Sequence, residues 1–215
     1  FNLSALNYKE IFDHFANTQY SKFLTPLKEQ PKPYSSLNDI HQCIFIHIPK
    51  VAGSSIENAL WGTRGRAGHK TALEYKKADQ KLFQKYFSFA FVRNPYDRFV
   101  SAYEYLIRGG RNKYDKAWAE ENLKCYTSFS SFVLALQDEK VKKKTLNWSH
   151  FKPQYRFVCD ENGSVIADYI GRYETLEKSF DYVTVKLKID ADLPHENAID
   201  RQVFSDYYTE ETKSI

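Results

Sequence analysis

Cys43-Ile-Phe-Ile-His-Ile-Pro-Lys-Val-Ala-Gly-Ser-Ser-Ile-Glu57 decides the fold of this chain. An apolar run of strand length ends in a short loop of small and hydroxyl residues, and the chain then enters a helix. That order aims backbone N–H groups and a helix N-terminus at an anion, and Lys50 adds a full positive charge. Further along, Phe89-Ala-Phe-Val-Arg-Asn-Pro-Tyr-Asp-Arg-Phe-Val-Ser101 repeats the theme. A buried strand delivers Arg93 at its end, and Asn94-Pro95 supplies an N-cap and a first-turn proline for the next helix.

Working outward, the pattern predicts strands over 43–48, 87–92 and 165–170. It predicts helices from 54 to 60, over 71–86, from 95 through 107, from Ser128 or Ser130 through 136, and from about 176 to 187. Gly109-Gly110 ends the helix that Asn94 starts. Strands alternating with helices predict an α/β fold with a central parallel sheet of about four or five strands, its ligands at the carboxyl ends of the strands. Residues 1–40 read as an arm, with a short helix over 8–16 and Pro26, Pro31 and Pro33 breaking any longer one; residues 41–215 read as the domain proper. Gly62, Gly65 and Gly68 with Arg64 and Arg66 make a basic loop, and Lys142-Lys143-Lys144 reads as a solvated turn.

The composition sets the outer limits. A chain of 215 residues with 42% hydrophobic and 16% aromatic content buries a substantial, aromatic-rich core. Its net charge of +4 suits an anionic ligand and is too weak to argue for nucleic acid. Three cysteines, Cys43, Cys125 and Cys159, are odd in number and widely spaced, against a disulfide framework or a zinc site; a Cys125–Cys159 bridge stays open. No apolar run reaches the length of a membrane span.

The first loop is similar to a Walker A turn but lacks the Gly-Lys-Ser/Thr order: Lys50 precedes Gly53, and Ser54-Ser55 follow it. Lysine before the turn, with Arg-Asn-Pro…Ser downstream, resembles the sulfotransferases that use 3′-phosphoadenosine 5′-phosphosulfate, and most of all the carbohydrate (type 2) group. The resemblance implies the P-loop-kinase-like sulfotransferase fold and transfer of a sulfuryl group to a hydroxyl, on a carbohydrate or another acceptor, with no metal. It implies that Pro49, Lys50, Val51, Ala52, Gly53, Ser54 and Ser55 hold the donor's 5′-phosphate, with Lys50 at the leaving oxygen. Arg93 and Ser101 would hold the 3′-phosphate, which distinguishes this donor from ATP. Arg98 reads as a partner in a structural ion pair, and Asp97 as solvated or as helping to start its helix.

A family histidine in the interval between the two motifs serves as the base, which on this chain is His69 in Gly68-His-Lys-Thr-Ala72. His150, in His150-Phe-Lys-Pro-Gln154, is the alternative; His47 reads as structural, and His14, His41 and His195 carry no role. Asp168-Tyr-Ile-Gly-Arg-Tyr-Glu174 resembles the family's strand-end segment, where Arg172 would reach the nucleotide. Leu193-Pro-His-Glu-Asn197 and Phe204-Ser-Asp-Tyr-Tyr208 resemble later blocks without assigned roles. Two rivals stay in view: a P-loop-like phosphotransferase, disfavoured by the missing Gly-Lys-Ser/Thr and acidic metal ligand, and a non-catalytic glycan-binding module on the same scaffold. The compartment follows the chain's extent: cytoplasmic if complete, Golgi lumen if an N-terminal anchor has been removed. The oligomeric state is not legible.

Overall fold

Three strands, Cys43–Ile46 (β1), Phe87–Val92 (β2) and Tyr169–Arg172 (β3), form one parallel sheet in the order β1-β2-β3. The computed structural model describes residues 32–62, 67–193 and 202–215. The expected helix over 8–16, Pro26, Pro31, Arg64, Gly65, Arg66, His14, His195 and residues 194–197 lie outside the described residues. β1 and the middle of β2 are buried on both faces, and this is why they read as unbroken apolar runs rather than alternating ones. Cys43 pairs with Phe87 and Val92 with Arg172, so the segments leaving all three strands emerge at one mouth.

The expected four or five strands are thus corrected to three among the described residues. The third starts later than its apolar pattern predicts. Val165 instead makes an isolated antiparallel bridge with Cys159. The Asp168 carboxylate then accepts from the Ser88 N–H and hydroxyl, both at 2.8 Å, and fixes where parallel pairing begins.

The helices are Ser36–His41 (α1), Gly53–Trp61 (α2), Ala72–Ala78 (α3), Gln80–Lys85 (α4), Pro95–Ile107 (α5), Lys113–Asn122 (α6), Phe129–Ala135 (α7), Glu139–Asn147 (α8), Tyr155–Val158 (α9), Leu176–Leu187 (α10) and Glu210–Lys213 (α11). The single helix expected over 71–86 is two. Asp79 is extended (φ −157°), and its carboxylate caps α4 through the Leu82 N–H. The lysine run 142–144 is corrected from a turn to part of α8, which Asp138 caps through the N–H groups of Lys140 and Val141. Ser128, not Ser130, caps α7.

Two apolar cores result. One lies around the sheet and includes Phe45, Phe89, Phe91, Phe157 and Phe180. The other is helical, built on Val100 and Leu106 of α5 with Trp118, Phe132 and Phe151. All three cysteines are free, so the open Cys125–Cys159 pairing does not occur. Among the described residues no helix is long and apolar enough to cross a membrane.

Candidate active site

The loop between β1 and α2 is conformationally loaded. Lys50 and Ala52 both take left-handed backbone angles, φ 71° and 65°, at a cost of about 1–2 kcal/mol each for residues with a Cβ. Ala52 is the N-cap of α2 and offers no side-chain acceptor, and the first turn of α2 holds no acidic residue. The Ser55 N–H turns back to the Ala52 carbonyl at 3.0 Å, which leaves the N–H groups of Gly53 and Ser54 at the head of a nine-residue helix for an outside anion. Gly53 serves a second purpose that the sequence does not reveal. A Cβ built there would lie 1.9 Å from His47 Nε2, so the glycine makes room for an imidazole.

Pro49, Lys50, Ala52, Gly53, Ser54, Ser55 and His69 line one cleft of about 460 Å³, together with His47, Tyr105, Arg111, Asn112 and His150. Val51 turns its side chain into the sheet core, which leaves only its backbone for a ligand. His47 lies just beyond β1 rather than within it. Its ring stacks on Phe45, and its Nδ1 is 3.4 Å from Glu57 Oε1, too poorly aligned for a hydrogen bond. Glu57 is fully buried and accepts from the Ala67 N–H at 2.8 Å.

His69 Nδ1 is 3.0 Å from the His47 carbonyl oxygen. A carbonyl only accepts, so Nδ1 carries the proton and Nε2 of the neutral ring keeps its lone pair. The His69 ring stands edge-on to His47 at 4.7 Å and to His150 at 5.8 Å, while the residue keeps one side open to solvent. Packing among these groups desolvates the ring, and with the neighbouring His47 it lowers the His69 pKa from 6.5 to about 4.

His150 is buried, and its Nε2–H donates to Asp115 Oδ1 at 3.1 Å. Asp115 also accepts from the Tyr105 hydroxyl at 2.6 Å and from Asn112 Nδ2 at 2.7 Å. Burial pushes the Asp115 pKa up, but these donors outweigh it and hold the group below the usual carboxylate range. Sequence reasoning missed Asp115, Tyr105 and Asn112. The signal available was Asn112 as an N-cap with Asp115 one turn on, behind the Gly109-Gly110 helix stop.

Arg93, Ser101 and Arg172 lie outside the cleft lining. Arg93 Nε donates to Asp97 at 2.7 Å, Nη1 donates to the Lys50 carbonyl at 3.1 Å, and the guanidinium lies 4.0 Å over the Tyr173 ring. The Gln154 amide brackets the Arg93 backbone, accepting its N–H at 2.9 Å and donating to its carbonyl at 2.8 Å. Asp97 stands in the first turn of α5, as the helix-start alternative expects, and its solvated alternative is corrected to the ion partner of Arg93. Arg98 is corrected as well: it is buried and donates to the carbonyls of His150 (2.9 Å), Lys152 (2.7 Å) and Pro49 (3.4 Å) rather than to a carboxylate. Asp97, Ser101 and Tyr105 fall at successive four-residue steps of α5, so Ser101 stands on the stripe between Arg93 and the cleft. Arg172 pairs in register with Val92 and is exposed beside Arg93. Among the described residues no group of three or more His, Cys, Asp or Glu is placed to hold a metal ion.

Comparison with known proteins places the chain in a family. Carbohydrate sulfotransferase 14 of Danio rerio is 26% identical over 176 residues, 68% of this chain and 46% of that protein. Carbohydrate sulfotransferase 11 of Rattus norvegicus is 23% identical over 208 residues, 78% of this chain and 56% of that protein. An uncharacterized protein of Archaeoglobus fulgidus is 32% identical over 136 residues, 62% of this chain and 84% of that one. The chain spans about half the length of the carbohydrate sulfotransferases it matches. No solved structure matches it. The profile of the Sulfotransferase family covers residues 35–214, so the chain belongs to the sulfotransferase family.

Proposed function

We propose that the protein transfers a sulfuryl group from 3′-phosphoadenosine 5′-phosphosulfate to a hydroxyl of a carbohydrate, on a domain whose topology is that of the P-loop nucleotide kinases. The observation that carries this reading is the uncapped N-terminus of α2 facing the same cleft as Lys50 and His69. The N–H groups of Gly53 and Ser54, with the hydroxyls of Ser54 and Ser55, suit the donor's 5′-phosphate, and Lys50 suits the negative charge that gathers on the bridging oxygen as it departs. His69 Nε2 suits removal of the acceptor's proton. In the balanced step the bond from sulfur to the bridging oxygen breaks and a bond from sulfur to the acceptor oxygen forms. The acceptor proton passes to His69, and the products are a sulfate ester and adenosine 3′,5′-bisphosphate. A neutral His69 is ready to accept, and the negative donor beside it raises its proton affinity from the low value of the empty cleft.

Arg93, Ser101 and Arg172 are assigned to the nucleotide's 3′ side. Arg93 is held by Asp97, the Lys50 carbonyl and Tyr173, and it presents its remaining N–H edge in a fixed plane, the condition for a charge-assisted phosphate contact. Calorimetry should give tighter binding of adenosine 3′,5′-bisphosphate than of 5′-AMP. Arg93→Ala should weaken the bisphosphate about ten- to a hundredfold, equivalent to about 1.5–3 kcal/mol, with 5′-AMP little changed. Equal wild-type affinities for the two nucleotides would sink the assignment. A screen with labelled donor against sugars, lipids and phenols tests the acceptor class.

A further inference from the structure

Tyr105 stands where the two halves of the cleft meet. Its ring carries the Lys50 ammonium at 4.0 Å from the centroid, which ties it to the donor loop. The same ring packs against His150 at 4.8 Å, and its hydroxyl donates to Asp115, the carboxylate that holds His150. The Arg111 N–H donates to that hydroxyl at 2.9 Å, so the ring is anchored from the α5–α6 turn as well. One side chain thus touches the Lys50 cation and is bonded into the network that holds the His150 imidazole. The negative face of a tyrosine ring attracts an ammonium, and a long lysine stem needs such a rest to occupy one position.

We propose that Tyr105 is a positioning residue that fixes the Lys50 ammonium relative to the His69–His150 wall. The proposal rests on the transferase reading for its kinetic consequence only. The position of Lys50 can be read without turnover, from the rate at which trace acetylating reagent labels it, measured by mass spectrometry against other lysines of the same protein. Tyr105→Leu removes the ring face and should raise Lys50 labelling about two- to thirtyfold, the span that contacts of this class represent. Tyr105→Phe keeps the face and should stay within about twofold of wild type. If Tyr105→Leu fails to fold, tri- and pentafluorinated phenylalanines at position 105 replace it. They weaken the ring's negative face with little change of shape, and labelling should climb with fluorination.

Turnover should fall in the same order while the affinity for adenosine 3′,5′-bisphosphate holds. In a Lys50→Ala background Tyr105→Leu should cost less turnover than it does with Lys50 present, a coupling that a merely structural role would not give. Labelling of Lys50 unchanged by Tyr105→Leu, or flat across the fluorinated series, overturns the proposal. A wild type that transfers no sulfuryl group overturns the transferase reading instead, and leaves the labelling result to decide this one.

Discussion

In the proposed reaction, proton transfer turns on which imidazole nitrogen is free. At His69 the His47 carbonyl settles it, because Nδ1–H is committed and Nε2 is left to accept. At His150 the Asp115 carboxylate commits Nε2, and Nδ1 is buried without a partner among the described residues. His69→Ala should therefore lose about 10²–10⁴-fold in rate while the protein stays folded and binds nucleotide. His150→Ala tests the alternative in parallel: loss there with His69→Ala intact moves the base to His150. The lowered His69 pKa sets the sign of two pH effects. The ring is neutral at pH 7 and remains so down to about 4, so kcat/KM should be flat through pH 6.5 and fall only toward 4. An acid limb near 6.5 that disappears in His69→Ala would contradict the packed geometry. For folding, the unfolded chain binds this proton below about 6.5 and the native state only near 4, so stability is lost as pH falls through that window. His69→Asn should flatten that part of the stability profile. The resemblance located His69 in the sequence; its tautomer was not legible there, because the carbonyl that sets it belongs to a different loop.

Helix α5 shows how far local chemistry carries at the level of elements. Asn94 accepts from the N–H groups of Tyr96 (3.0 Å) and Asp97 (3.3 Å), with Pro95 in the first turn, just as its residue types predict. Asn94→Ala should cost about 1 kcal/mol in a denaturant titration, and Asn94→Ser should recover most of it. An unchanged midpoint for the alanine variant would show that packing alone holds this end of the helix. Capping chemistry was legible at Asn94 and, as one of two candidates, at Ser128, but the Asn112 cap of α6 was missed. It was missed too at Asp79, where one residue ends α3 and starts α4 without a break in the helical pattern. It was missed again at Asp138, where the lysine run masked a helix whose Thr145 is buried. The start of β3 was not legible either, since the Ser88–Asp168 bonds that set it join positions far apart in the chain.

Between the two cores lies the cleft, and α5 is the element common to both sides of it. Its Val100, Ala102 and Leu106 build the helical core, while Arg93 just before it and Arg98 within it reach the loop after β1. Arg98 makes the tie most directly. A single guanidinium, 4% exposed, satisfies carbonyls from the loop after β1 (Pro49) and from the segment carrying the second histidine (His150 and Lys152). Arg98→Met keeps bulk but leaves these acceptors unpaired, and should destabilise the protein by about 3 kcal/mol or more. Stability alone does not test the clamp, so a second variant is needed. Phe132 is fully buried among Phe99, Tyr103, Tyr126 and Phe151, away from the loop, and Phe132→Ala should cost a similar or larger amount, about 3–5 kcal/mol. At a temperature where both variants remain folded, Arg98→Met should lose nucleotide affinity and turnover together, while Phe132→Ala should keep nucleotide affinity near wild type. Equal losses of nucleotide binding in the two would mean that the cleft depends on general packing of the second core. Loss confined to Arg98→Met would place the register of the loop after β1 in three carbonyls held by one arginine.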